Sequence, residues 1–229
     1  MGKLSEEPVL RDRVQVFMDR SHAGRLLAER LLEYRDQKVQ LFAIPAGGVP
    51  VAAEIARGLA LPLDLIIVRK IQLPYTTEAG FGALNPAGEA IFNEELLQRI
   101  HLSGEDIAIQ TEKTRAVIRR REERLRGSRP YPELAGESAI VVDDGLASGY
   151  TMRAAVQFLK RQGAGKIIVA VPTGAEHTVQ ALLPEVDELF CLNVRGGWSF
   201  AVAAAYQNWY DLEEEEVLEI MASLQPQTA

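Results

Sequence analysis

Hydrophobic positions along the chain alternate between two patterns. Continuous apolar-rich runs of strand length occur at Val39 to Ile44, Leu63 to Val68, Ala139 to Val142, Lys166 to Val171 and Glu188 to Val194. Between them the spacing becomes helical. Ser21 to Tyr34 places Ala23, Leu26, Leu27 and Leu31 on one face. Pro50 to Leu59 does so with Val51, Ile55 and Leu59, and Pro50 suits a first helical turn. Tyr150 to Gln162 reads as a helix stopped by Gly163, His177 to Leu183 as a short helix, and Glu213 to Leu224 as an acidic amphipathic one. Strand, helix and strand in close succession form the βαβ unit of a parallel sheet, so the expected class is α/β.

Two stretches depart from this alternation. Pro74 to Gly88 carries Pro74, Gly80, Gly82, Pro86 and Gly88 among polar residues, and reads as a long loop of the kind used for lids. Ser103 to Arg126 reads as a long polar helix, with Ser103 and Asp106 at capping-box spacing. Its segment Gln110 to Pro130 holds eight basic and three acidic residues, a local charge of +5. Pairs such as Glu122 and Arg126 make a solvated, salt-bridged face the plain reading; a basic helix beside an anion site is the alternative. No internal repeat or low-complexity segment is evident. A single domain over 1–229 is expected, with a helical insertion at about 94–128 and a C-terminal hood and helix at about 195–229.

The 229 residues are 47% hydrophobic and 25% charged, which is ordinary for a globular protein and argues against disorder. The longest apolar stretches, such as Leu65 to Val68 and Phe200 to Tyr206, fall far short of the ~20 residues a bilayer requires, so no membrane partner is expected. Met1 to Arg13 is charged with no apolar run, which leaves a cytoplasmic location as the expectation. The single cysteine, Cys191, excludes an internal disulfide and a cysteine-based zinc site. It reads as a small buried hydrophobe. His22, His101 and His177 lack metal-binding spacing and read as surface or capping residues. The net charge of −7 argues against a nucleic-acid partner.

The chemistry concentrates in Ile140-Val141-Val142-Asp143-Asp144-Gly145-Leu146-Ala147-Ser148-Gly149-Tyr150-Thr151. A buried strand ends in two carboxylates, and a loop of small residues runs into a helix start. The carboxyl end of a parallel strand is where α/β proteins bind ligands, and a helix start offers free N–H groups to an anion. Ser148 and Thr151 add hydroxyl donors, and Gly149 lets the backbone approach closely. The two acids suit a polyol or a metal ion rather than the phosphate itself.

This string resembles the phosphoribosyl diphosphate (PRPP) motif of type I phosphoribosyltransferases: four apolar positions, two acids, two variable residues, then small, Ser/Thr, Gly, variable, Thr. The resemblance implies that family's parallel-sheet core with flanking helices, a lid loop and a small hood. It places Asp143 and Asp144 on the ribose hydroxyls, and Ala147, Ser148, Gly149, Tyr150 and Thr151 around the 5′-phosphate, with Gly145 and Leu146 in the same loop. Ile44-Pro45-Ala46-Gly47-Gly48-Val49-Pro50 is similar to the family's diphosphate loop, so Ala46, Gly47 and Gly48 join the PRPP site. Relatives often carry a basic residue where this chain has Ala46, so neutralising charge has to come from elsewhere. Arg69 and Lys70 are the expected suppliers, with a strand-end basic pair facing solvent as the lesser alternative. Phe17 to Gly24 and Val68-Arg69-Lys70-Ile71 are similar to a subgroup of phosphoribosyltransferases without an agreed substrate.

By that resemblance the reaction displaces diphosphate from C1 of PRPP by a nitrogen nucleophile, with Mg²⁺ as cofactor and Arg69, Lys70, Asp143 and Asp144 as the catalytic set. Mg²⁺ would be held through PRPP, with Asp143 and Asp144 as its protein contacts. The lid would span Gln72 to Gly88, with Tyr75 and Thr76 reaching the diphosphate. Ala147 stands where 6-oxopurine enzymes carry a carboxylate, which disfavours hypoxanthine or guanine as acceptor. The base hood would lie in Arg195 to Tyr210, where five of the fifteen aromatics fall, with Trp198 and Phe200 against the base. Packing of the final helix is the competing reading of that cluster. The expected partners are PRPP, an unidentified base and, as is common in the family, a second copy of the chain. The other functional class left open is a non-catalytic PRPP or nucleotide sensor on the same fold.

Overall fold

A strand whose successive side chains are all apolar has to be covered on both faces, and that requirement organises the chain. The computed structural model describes residues 2–76, 79–197 and 199–224. In order these form β1 (Lys3–Ser5), α1 (Arg20–Arg30), β2 (Val39–Ala43), α2 (Gly48–Leu59), β3 (Leu63–Leu65), β4 (Arg69–Gln72), β5 (Gly80–Leu84) and β6 (Ala90–Phe92). There follow α3 (Glu94–Ile100), α4 (Gly104–Arg121), β7 (Ser138–Val142), α5 (Tyr150–Arg161), β8 (Lys166–Ala175), α6 (Glu176–Leu182), β9 (Glu188–Arg195) and α7 (Glu214–Ser223). The main sheet runs β1-β9-β8-β7-β2-β3, and every neighbouring pair is parallel.

Side chains on its central strands divide strictly by parity. Leu41, Ala43, Ile140, Val142, Ile168 and Ala170 pack with Ala23, Leu27, Val51 and Ile55 of α1 and α2. Phe42, Ala139, Val141, Ile167, Val169 and Val171 pack on the other side with Met152, Val156 and Leu159 of α5 and Val179 and Leu182 of α6. The expected α/β class with a parallel sheet and flanking helices is therefore present. Cys191 is fully buried in this second core, as a small hydrophobe should be, and burial pushes its thiol up.

Two expectations are corrected, and one strand had no signal in the sequence. The run 63–68 is not one strand: β3 ends at Leu65, and the chain then leaves the sheet. Ile66 N still donates to the Ala43 carbonyl at 2.9 Å, and Ile66 and Val68 stay buried in the core that also holds Ala83 of β5, so an apolar run did not fix the strand's length. The second sheet, β4-β5-β6, is antiparallel, and its middle strand takes residues 80–84 out of the stretch expected as a lid loop. The glycines there serve strand pairing, since a Cβ on Gly82 would collide with the Ile91 carbonyl. The buried Asn85 closes the β5–β6 turn, accepting from Glu89 N at 3.0 Å. Finally, β1 carried no apolar signal; it is a three-residue edge strand paired with β9 through Lys3 and Glu188.

The stretch 94–121 holds α3 and α4. Ser103 caps α4, its Oγ accepting from Asp106 N at 3.0 Å. Beyond α4 the turn 122–126 widens to a π-helix, where Arg126 Nη1 meets Glu122 at 3.1 Å as the spacing implied. Arg126 also pairs with Asp64 at 2.8 Å, with its guanidinium 3.6 Å above the Tyr131 ring. No helix among the described residues is long and apolar enough to cross a membrane.

Candidate active site

Strands β2 and β7 lie side by side and end together, Ala43 opposite Val142. Ile44 N donates to the Val142 carbonyl at 2.9 Å, and the chain then turns through a cis Pro45–Ala46 peptide into α2. The turn rests on the acid pair. A Cβ on Gly47 would collide with the Asp144 carboxylate, and one on Gly48 would lie 2.7 Å from the Val142 carbonyl. The diphosphate-type loop and the acidic motif thus meet, because a small-residue turn permits it.

The two carboxylates stand differently. Asp143 Oδ1 accepts from Asp144 N at 2.8 Å and lines a cavity of about 340 Å³ with Pro45, Arg69, Lys70, Arg121 and Thr151. Asp144 Oδ2 accepts from Arg20 Nε at 2.9 Å. Arg20 is only 6% exposed; its Nη1 donates to the Tyr210 carbonyl at 2.9 Å, and its guanidinium lies 3.8 Å from the centre of the Trp209 ring. The Tyr206 hydroxyl donates to the Asp144 carbonyl at 2.7 Å. Burial holds the Asp143 carboxyl well above the usual carboxylate range, and the Asp144 charge pushes it the same way. Burial raises Asp144 too, against the opposing pull of Arg20. Burial likewise pushes the Tyr206 phenol up, with the Asp144 charge adding to it.

At the helix start, Gly149 takes φ 79° and no side chain caps the first turn of α5, so its N–H groups are available to an anion. Thr151 faces the cavity of Asp143. Ser148, Gly149 and Tyr150 line a neighbouring one of about 510 Å³ with Arg153 and His177. Gly145 packs under Val202, Leu146 is buried, and the Ala147 carbonyl accepts from the Thr178 hydroxyl at 2.5 Å. Ala46 lines an adjoining cleft with Arg69 and Arg121. Arg69 and Lys70 do reach the site, but as the start of β4 rather than the end of a core strand. Tyr75 is 72% exposed and Thr76 half-buried; Thr77 and Glu78 beside them lie outside the described residues. Trp198, expected in the hood, also lies outside the described residues. Phe200 has the Arg195 guanidinium 5.2 Å from its ring centre. Tyr206 and Trp209 pack against each other and around Arg20, so these two aromatics serve packing at the acid pair.

Two residues at the site were given no role by sequence reasoning. Arg20 appears only inside a family-like segment, and nothing local shows that it meets Asp144. Arg121 had a detectable signal. Thr114, Ile118, Arg121 and Leu125 follow helical spacing and are all buried, so this arginine sits on the inward stripe of α4 and its extension. The other basic residues of the segment are largely paired. Arg124 meets Glu214 at 3.2 Å and also Glu215, which supports the salt-bridged reading of that face.

A family model described as phosphoribosyl transferase domain matches residues 20–205. The chain belongs to this family. A curated Mycobacterium tuberculosis protein named "Putative phosphoribosyl transferase Rv0571c" is 37% identical over 205 residues, covering 90% of this chain and 46% of that protein. The chain thus spans about half the length of the curated relatives it matches. TT1426 from Thermus thermophilus superposes with a TM-score of 0.73 at 33% identity, over 92% of this chain and 99% of that one. A Neisseria gonorrhoeae protein crystallised with bound ppGpp shares the fold alone, at 16% identity and a TM-score of 0.51, over 94% of this chain and 98% of that one.

The Asp143 carboxyl is pushed above its unfolded value near 4, so the folded state binds more protons than the unfolded one between the two values. Stability therefore falls as pH rises through that window and is recovered on acidification. The Asp143→Asn protein is expected to unfold at a higher temperature than wild type at neutral pH, with the difference closing below about pH 4. A lower neutral-pH midpoint would contradict this. Arg20→Met leaves a partly buried carboxylate without its ion partner, a loss of about 3 kcal/mol in urea unfolding. A change under about 0.5 kcal/mol, the level of an ordinary surface substitution, would show the pair to be incidental.

Proposed function

We propose that this chain is a phosphoribosyltransferase that transfers the 5-phosphoribosyl group of PRPP to a ring nitrogen of a nucleobase-like heterocycle, releasing diphosphate. The observation that carries the reading is the convergence, around one cavity, of Asp143, the start of α5 at Thr151, the turn at Pro45 and the cations Arg69 and Lys70. Asp143 and Asp144 accept hydrogen bonds from the ribose 2′- and 3′-hydroxyls. The uncapped N–H groups at the start of α5, with the Ser148 and Thr151 hydroxyls, hold the 5′-phosphate. The C1–O bond to diphosphate breaks as the nitrogen lone pair forms the C1–N bond. The leaving electron pair stays on diphosphate, and Arg69 and Lys70 stabilise that charge.

Mg²⁺ fits the donor set: among the described residues no group of three metal-ligating side chains exists, but two adjacent carboxylates suit a hard cation that takes its other oxygens from substrate and water. When bound it neutralises the diphosphate. Asp143 and Asp144 would be its protein contacts. Nothing at Ala147 offers the acceptor a carboxylate, which favours bases other than hypoxanthine and guanine.

The test is a screen of purine, pyrimidine and pyridine acceptors for PRPP-dependent diphosphate release, paired with calorimetry of Mg-PRPP binding. Asp144→Asn turns an anionic acceptor into a half-donor, and affinity for Mg-PRPP is expected to fall at least tenfold. Unchanged affinity would overturn the assignment of the acid pair. Tight PRPP binding with no release on any acceptor would favour the sensor instead.

A further inference from the structure

The Glu214 carboxylate at the start of α7 is surrounded by three arginines. Its Oε1 lies 2.9 Å from Arg121 Nε and 3.9 Å from Arg120 Nη2, and its Oε2 lies 3.2 Å from Arg124 Nε. Several guanidinium groups converging on one carboxylate make an anion site, here occupied by the chain itself. The site borders the cavity described above. Arg69 and Arg121 line both that cavity and the adjoining cleft of about 590 Å³ that contains Pro45, Ala46 and Glu214.

The Arg121 side chain is 7% exposed, and among the described residues one carboxylate, that of Glu214, is its ion partner. Beyond Glu214 its contact is with the Pro45 carbonyl at 3.5 Å, the long limit of a hydrogen bond. Burial and the neighbouring Arg69 charge both oppose its own charge, and Glu214 favours it. A multiply charged phosphate offers more acceptor oxygens and more charge than one carboxylate, and so competes for the same fork.

We propose that Arg121 is a diphosphate-binding residue, supplied by α4 in place of a basic side chain at Ala46, and that Glu214 is its resident counter-anion, displaced when the substrate's diphosphate enters. The proposal rests on the reading of the cavity as a PRPP site. No unfolding of α7 is needed: Val217 anchors it in the core, and the Glu213–Glu216 capping box fixes its first turn. Rotation of the Glu214 side chain releases Arg121 and leaves Arg124 and Arg120, 45% and 68% exposed, as its remaining partners.

A purely structural ion pair and an exchangeable one predict opposite results for Glu214→Gln. Binding is measured by calorimetry with inorganic diphosphate and Mg²⁺, and with ribose 5-phosphate as the control that lacks the diphosphate group. In Glu214→Gln the melting temperature is expected to fall, because buried Arg121 loses its partner, while diphosphate binds several-fold tighter. In Arg121→Lys, diphosphate affinity is expected to fall at least tenfold, with ribose 5-phosphate unchanged within twofold. Unchanged or weaker diphosphate binding in Glu214→Gln overturns the proposal, as does unchanged binding in Arg121→Lys. If Arg121→Lys does not fold, Glu214→Gln decides alone. Wild-type protein that binds neither diphosphate nor Mg-PRPP removes the cavity reading and this inference together. Wild-type binding with unshifted variants removes only this inference.

Discussion

Two carboxylates on consecutive residues at the end of a buried parallel strand are the constraint around which the rest of this structure is arranged. Burial opposes ionisation of both, and the Asp144 charge opposes that of Asp143 as well, so the folded chain meets that cost from several elements. The start of α1 supplies Arg20, the segment before α7 supplies Tyr206, Trp209 and the Tyr210 carbonyl, and the turn into α2 lays Gly47 against the carboxylate. Elements far apart in sequence are thus tied to one acid. Tyr206 and Trp209, two of the aromatics that by composition suited a base platform, house that ion pair.

A similar logic governs the basic side of the cavity. Positive charge arrives from β4 and from the inward stripe of α4, and a carboxylate of α7 answers it. The chain's net charge of −7 consequently says little about the pocket. From Arg195 to Ala229 there are six acidic residues and one basic one. Part of that excess, Glu214 and Glu215, is spent on arginines of the +5 segment.

What could be read from the sequence, and what could not, follows from how far each feature extends along the chain. The motif from Ile140 to Thr151 was legible because strand, acid pair, turn and helix start are contiguous, and each obeys a local rule. The core strands were legible because burial on both faces demands unbroken apolar runs. The second sheet was not, since Gly80 and Gly82 are loop residues by propensity and become strand residues only against β4 and β6. The Arg20–Asp144 pair joins positions 124 residues apart and leaves no periodic trace. Arg121 left one, a polar residue on an apolar stripe, but in a segment with eight basic residues it was indistinguishable from a solvated charge.

The chain belongs to the phosphoribosyl transferase domain family, and in the function proposed for it the acid pair receives the ribose and the start of α5 receives the phosphate. The most direct test is a crystal structure of the protein with PRPP and Mg²⁺. The account predicts the ribose hydroxyls within hydrogen-bond reach of Asp143 and Asp144 and the 5′-phosphate on the backbone of residues 147–151. PRPP bound away from the acid pair, or a 5′-phosphate held anywhere else, would contradict it.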